Sequence, residues 1–214
     1  MGLCIFFDII YIVCKEKNKN IIGLFAKVLA AFCFITIGYM AYTSNKTQFI
    51  YLILFGLVLD GIGDLFLALR NIFAKNLTFL IGSISFLCGH IMFLRAELLI
   101  ENNYLINCII FAVITGAILF YLFNKVCHFN KIYTIVGIIY LIIIAMMVYM
   151  SLGIYLTHDS VKNLVFLIGA IFFMSSDIIL VIYNFSKKEK WMHPVYSLLY
   201  FIGQLLISYS LHLW

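Results

Sequence analysis

The chain has 214 residues, of which 65% are hydrophobic and only 11% charged, with a formal net charge of +5. Apolar runs of about 20 residues recur along it, the length that spans roughly 30 Å of hydrocarbon, so a soluble fold is excluded in favour of a multi-pass protein of the cell membrane. Nucleic-acid binding is excluded as well, because the basic residues sit in short connections and not in a polar, aromatic-interleaved segment.

Eight spans are expected, over 1–14, 21–43, 49–69, 77–98, 104–123, 132–152, 164–184 and 195–214. The fold class is therefore an all-α polytopic membrane helix bundle. The first span is short, about 21 Å at 1.5 Å per residue, so Lys15 and Lys17 must snorkel to the surface. A cleaved signal peptide is the rival reading, but its charges follow the apolar run and no small-x-small cleavage site is present. Span two carries Lys27, span three Asp60 and Asp64, span four His90 and span seven Asp177. The lone proline, Pro194, stands at the start of span eight, where its missing N–H is tolerated. Tyr196, Tyr200 and Gln204 follow.

Most connections are too short for a soluble domain, so residues 1–214 read as a single transmembrane domain. The loops after spans one, three, five and seven hold Lys15, Lys17, Lys19, Arg70, Lys75, Lys125, Lys131, Lys187, Lys188 and Lys190; the other side holds Lys46, Arg95 and Lys162. The positive-inside rule makes the richer side cytoplasmic and both termini extracytoplasmic. Lys187, Lys188 and Lys190 read first as topology determinants, with attraction to anionic headgroups as the alternative. The six cysteines form no CxxC pair and no zinc spacing, so disulfide and metal–thiolate sites are not expected.

Asp8, Asp60, Asp64 and Asp177 lie within apolar stretches, with Lys27 as the one intramembrane lysine. Charges in hydrocarbon are costly, so such residues face a polar interior and mark function. Counting helical rise from the cytoplasmic edge puts Asp64 roughly 8 Å, Lys27 about 9 Å, Asp177 roughly 11 Å, and Asp60 and Gln204 about 14 Å deep, with Asp8 near Lys27. His90 comes out apart, at roughly 20 Å. Gly56, Asp60, Gly63 and Asp64 share one helical face; Gly169, Phe173, Ser176 and Asp177 share another; Tyr196, Tyr200, Gln204 and Ser208 share a third. Small residues beside the acids let helices approach closely. Gly56 precedes Asp64, and Gly169 precedes Asp177, by eight residues; Gly23 and Gly137 agree more weakly. Two pseudo-repeated four-helix halves are the expectation, with Asp64 and Asp177 facing each other across a central cavity.

Several carboxylates in one low-dielectric space with a single lysine cannot all ionise, so at least one is expected to retain a proton, the arrangement of a general acid beside a general base. Lys27 reads as the counter-ion of one aspartate or as a catalytic or headgroup-binding group. Asp60 either joins the chemistry or shares a proton with Asp64. Asp8 reads as structural or interfacial. His90 is first a hydrogen-bonded core residue, with proton carrier and metal ligand as alternatives. Tyr200 and Gln204 either orient substrate or join helices. Arg95 and Glu97, at the outer end of span four, are expected to meet solvent.

The segments GLVLDGIGDLFLAL, FLIGSISFLCGHIMF, GAIFFMSSDIILVIYNF and YSLLYFIGQLLIS occur in an order that resembles the YhhN-type lysoplasmalogenase family. The resemblance rests on Gly63-Asp64, His90 with Phe93, Ser176-Asp177, and Tyr200 with Gln204, and covers nearly the whole chain. Lys27 resembles the family's early Lys-Pro, with Val28 in place of the proline; Phe93 stands where tyrosine is usual and Asp60 where a small polar residue is. The resemblance implies hydrolysis of the vinyl-ether bond of lysoplasmalogens to a fatty aldehyde and a glycerophospho-alcohol, with Asp64 and Asp177 catalytic and Lys27, Asp60, His90, Tyr200 and Gln204 supporting. A lysophospholipid substrate and surrounding membrane lipids are the partners implied, with neither a cofactor nor a metal. Vinyl ethers hydrolyse once an acid protonates the alkenyl carbon, so a proton donor, a stabilising carboxylate and a positioned water suffice. The alternatives are a proton-coupled small-molecule or lipid transporter, disfavoured by the lack of an inverted repeat and of Gly/Pro-broken spans, and a metal-dependent lipid hydrolase with the aspartates and His90 as ligands.

Overall fold

A computed structural model describes residues 1–70, 72–73, 75–127, 131–186 and 189–214. Of the basic residues behind the topology reading, Lys75, Lys131, Lys187 and Lys188 have side chains outside the described residues. Among the described residues eight helices follow one another: α1 (Gly2–Glu16), α2 (Asn20–Ser44), α3 (Gln48–Leu69), α4 (Lys75–Glu97), α5 (Leu105–Val126), α6 (Lys131–Thr157), α7 (Val161–Phe185) and α8 (Met192–Ser210), with a 3-10 turn over Leu211–Leu213. There is no strand among the described residues.

Among the described residues seven helices, α2 to α8, are long and apolar enough to cross a bilayer, so the protein is an integral membrane protein. With 15 residues, α1 falls short of that length. It ends at a turn in which Asn18 takes a left-handed φ of 56°, and Lys19 N–H reaches back to the Cys14 carbonyl at 2.8 Å. Asparagine tolerates that backbone better than most residues. Thr47 caps α3, its hydroxyl accepting from Ile50 N–H at 3.3 Å. Pro194 lies in the first turn of α8, where its absent N–H breaks no helical bond.

The core is aromatic and branched aliphatic: Phe34, Ile53, Leu57, Phe93, Phe173 and Phe201 are almost fully buried and belong to one cluster. Large apolar side chains also cover the outside, as on α5 at Ile106, Ile110, Phe111 and Ile118. That is the expected solution where lipid replaces water.

Two helix pairs approach through glycine. On α3 and α4, a Cβ on Gly82 would stand 3.2 Å from the Gly63 carbonyl oxygen, and one on Gly89 would stand 3.2 Å from that of Gly56. Seven residues separate the glycines on each helix, about two turns, so both contacts fall along one seam. On α7 and α8, Gly169 and Gly203 face each other, each added Cβ meeting the partner's carbonyl oxygen at 2.9 Å. The closeness brings the acid-bearing faces of α3 and α7 against α4 and α8.

The two ends of the bundle are chemically distinct. At one end Lys15, closing α1, meets Tyr196 on α8, and Arg70, closing α3, donates to Asn184 near the end of α7. At the other, Phe49, Glu97, Ser151, Asn163 and Trp214 line one small cavity.

Candidate active site

Asp64 is 1% exposed and faces α2 and α8. Lys27 on α2 places its ammonium 3.0 Å from Asp64 Oδ1, and Tyr200 on α8 donates its hydroxyl to Oδ2 at 2.7 Å. Lys27 is therefore the counter-ion of Asp64. Its ammonium also lies 5.3 Å from the centroid of the Tyr11 ring, a cation–π distance. Gly63, the neighbour of Asp64, leaves room for Phe86, whose ring would be 2.8 Å from a Cβ there.

One turn earlier on α3, Asp60 is fully buried and accepts from Gln204 Nε2 at 2.7 Å through Oδ2. Gly89 abuts Asp60 Oδ1, which has no hydrogen-bond partner; neither has Gln204 Oε1. A carboxyl proton on Oδ1 would supply the donor that this pair lacks.

Asp177 on α7 accepts from Tyr140 on α6 at 2.5 Å. His90 Nε2 stands 3.0 Å from the same tyrosine hydroxyl and 3.7 Å from Asp177 Oδ2, with its ring edge-on to Phe173 at 4.6 Å. The sequence reading set His90 too deep to share atoms with the aspartates. The structure brings them together instead: the Tyr140 hydroxyl joins His90 to Asp177, a side-chain reach that a count of helical rise omits. Ser176, beside Asp177, donates to the Tyr196 carbonyl at 2.8 Å and ties α7 to α8.

Asp8 is also fully buried, and Ser197 on α8 donates to its Oδ1 at 2.6 Å, so it is a structural partner of α8 and not an interfacial group. A second expectation is corrected at the far end of α4. Arg95 is exposed, but Glu97 is 1% exposed and accepts from Ser151 on α6. Glu97 continues the inward stripe of Phe86, His90 and Phe93, and that stripe, not proximity to the helix end, sets its burial.

Asp64 and Asp177 line the same cavity, together with Lys27, Tyr196, Ser197 and Tyr200. Its volume of about 20 Å³ holds roughly one water. A larger apolar cavity of about 70 Å³ lies among α3 to α7, bounded by Leu67, Phe86, Phe120 and Leu180, with Tyr140 and Asp177 also in its wall. Asp177 thus stands between a polar chamber and an apolar one. Among the described residues, no three His, Cys, Asp or Glu side chains converge to hold a metal ion.

All seven sequence-derived site residues are buried at this centre, in two groups: Lys27, Asp64 and Tyr200 with Asp60 and Gln204 one turn away, and His90 with Asp177. Sequence reasoning missed Tyr140, which joins His90 to Asp177. Its position three residues after Gly137, on a span without a charged residue, was the available signal. No curated protein and no solved structure matches the chain. The family model described as the YhhN family, however, matches residues 22–211, from the start of α2 to the end of α8, and the chain belongs to that family.

Proposed function

We propose that the protein is an intramembrane hydrolase of the lysoplasmalogenase type, cleaving the vinyl-ether bond of a lysophospholipid. The observation that carries this reading is the position of Asp177, in the wall of both the water-sized chamber and the apolar cavity, with Asp64 across the chamber. An alkenyl chain in the apolar cavity brings its vinyl-ether carbons to Asp177. Family membership supports the same reaction class.

Asp64, paired with Lys27, is the carboxylate whose charge is already balanced, and it takes the role of base. Asp177, held by neutral Tyr140, takes the role of acid. Asp177 protonates the alkenyl carbon distal to the ether oxygen, leaving an oxocarbenium ion at the adjacent carbon. Asp64 stabilises that charge and accepts a proton as water adds, giving a hemiacetal. Collapse of the hemiacetal breaks the carbon–oxygen bond: the leaving alcohol takes the proton from Asp64, and the hemiacetal hydroxyl returns one to Asp177. One water is consumed, one aldehyde and one glycerophospho-alcohol are released, and both carboxyls are reset.

Fatty-aldehyde release from a synthetic lysoplasmenyl lipid by purified protein in detergent tests the reaction. The parent should release aldehyde, and Asp64→Asn and Asp177→Asn should each lose activity by on the order of 10²-fold or more while remaining folded. A folded parent that releases no aldehyde across headgroups and pH sinks the proposal and leaves proton-coupled transport as the reading to pursue.

A further inference from the structure

The last turn of α1 sets the Lys15 ammonium among tyrosines. Lys15 Nζ lies 3.2 Å from the Tyr196 hydroxyl and 3.5 Å from that of Tyr11, and between 5.5 and 5.9 Å from the ring centroids of Tyr11, Tyr183 and Tyr196. Among the described residues no carboxylate pairs with it. Tyr11 and Tyr196 each accept from Lys15 and keep a hydroxyl hydrogen to give. His193, buried between these two rings at 5.4 and 5.2 Å, has an Nε2 without a hydrogen-bond partner. An ammonium and two phenol donors, with no anion among them, are the complement of a ligand with several acceptor oxygens.

We propose that Lys15, Tyr11 and Tyr196 form a binding site for a phosphate-ester anion, the headgroup phosphate of the lysophospholipid. The assignment rests on the hydrolase reading for its substrate, but the anion site itself does not need turnover. Tyr196 belongs to this cluster and also lines the chamber that holds Asp64 and Asp177. Tyr200, which donates to Asp64, follows Tyr196 by one turn of α8, a separation of ~6 Å. A three-carbon glycerol backbone covers a comparable distance between a phosphate and the ether oxygen at its far carbon. A phosphate at Lys15 therefore sets the ether oxygen at the level of Asp64, with the alkenyl chain continuing past Asp177 into the apolar cavity. Lys15 and Tyr11 precede residue 22, outside the stretch that matches the family model, so this is a contribution of α1.

The test compares the parent, Lys15→Met, the charge-conserving Lys15→Arg, and Lys17→Met as an exposed control on the same turn. Aldehyde release is measured from a lysoplasmenylethanolamine and from the 1-alkenylglycerol that lacks its phosphate. Lys15→Met should raise KM for the phosphate-bearing lipid by roughly tenfold or more, with kcat and the phosphate-free lipid near parent values, and Lys15→Arg should recover most of the loss. Equal loss on both lipids overturns the site and leaves Lys15 a structural residue. Calorimetric binding of glycerophosphoethanolamine and of inorganic phosphate to the same proteins gives a reading without turnover. Binding by the parent that Lys15→Met abolishes supports the site even if no aldehyde is ever released, in which case the hydrolase reading alone fails. Preference for the glycerophosphoester identifies a lipid headgroup as the occupant, and preference for inorganic phosphate overturns that identification. Absence of binding to either, with KM unchanged, overturns the site altogether.

Discussion

Lys27 and Asp64 are both buried in an apolar bundle, and each is held chiefly by the other. Truncating one member of such a pair strands a charge away from water, at a cost of about 3–5 kcal/mol in soluble proteins. Lys27→Met should therefore lower the melting temperature of the purified protein, and Lys27→Met with Asp64→Asn should recover much of the loss, because the stranded charge is gone. If the double variant melts below both single variants, the two residues do not act as a pair. Tyr140→Phe addresses the other acid: it deletes the hydroxyl that Asp177 accepts and that stands beside His90. The ring still fills its place, so stability should hold within about 1 kcal/mol, while aldehyde release falls roughly tenfold. Loss of stability without loss of kcat would make Tyr140 a packing residue. The inward acids were legible in the sequence because a carboxylate in hydrocarbon has few bland explanations. Their partners were not. Which of four aspartates Lys27 meets depends on how adjacent helices rotate, and that is decided by packing contacts that no single span encodes.

At the scale of a helix pair, the tight seam of α7 and α8 makes a sharper demand than any side-chain bond. A Cβ at Gly203 would lie 2.9 Å from the Gly169 carbonyl oxygen and 3.0 Å from Phe173 N, both backbone atoms that cannot rotate aside. Gly203→Ala should force the helices apart and destabilise by about 1–3 kcal/mol. It should also weaken catalysis, since α8 carries Tyr200 and α7 carries Asp177. Gly23→Ala is the contrast: its Cβ would make an ordinary 3.5 Å contact with the Cys14 Cβ, so helix propensity should leave stability unchanged or raised. Thermal melts of the two variants side by side check both expectations; equal destabilisation would show that the seam is not special. Helix positions were readable from apolar run length, as the close agreement for span three (49–69) and α3 (Gln48–Leu69) illustrates. The end of α6 was less so, because that helix runs on to Thr157, past the apolar window that ended at 152. Hydropathy reports what lipid tolerates, whereas a helix ends where its backbone bonds find other partners.

Across the whole molecule, the polar centre adjoins an apolar annex among α3 to α7. If that annex receives the substrate chain, filling it should change which chain lengths are accepted without touching the acids. Gly137 offers the means. It lines the annex, and a Cβ added there would meet no heavy atom within 4 Å, so a larger side chain enters open space and not packed neighbours. Leucine at this position projects an isobutyl group into the annex, so Gly137→Leu should occupy part of the space the chain would use. The variant should fold with an unchanged or slightly raised melting temperature, since apolar surface is buried without strain. Aldehyde release from a long-chain lysoplasmenyl lipid should show KM raised several-fold, and a short-chain analogue should be processed nearly as by the parent. The ratio of the two kcat/KM values is the diagnostic, because a general loss of activity would lower both together. A ratio identical to the parent's would mean that the chain lies elsewhere, along the lipid-facing surface, and that Asp177 meets its substrate from another side.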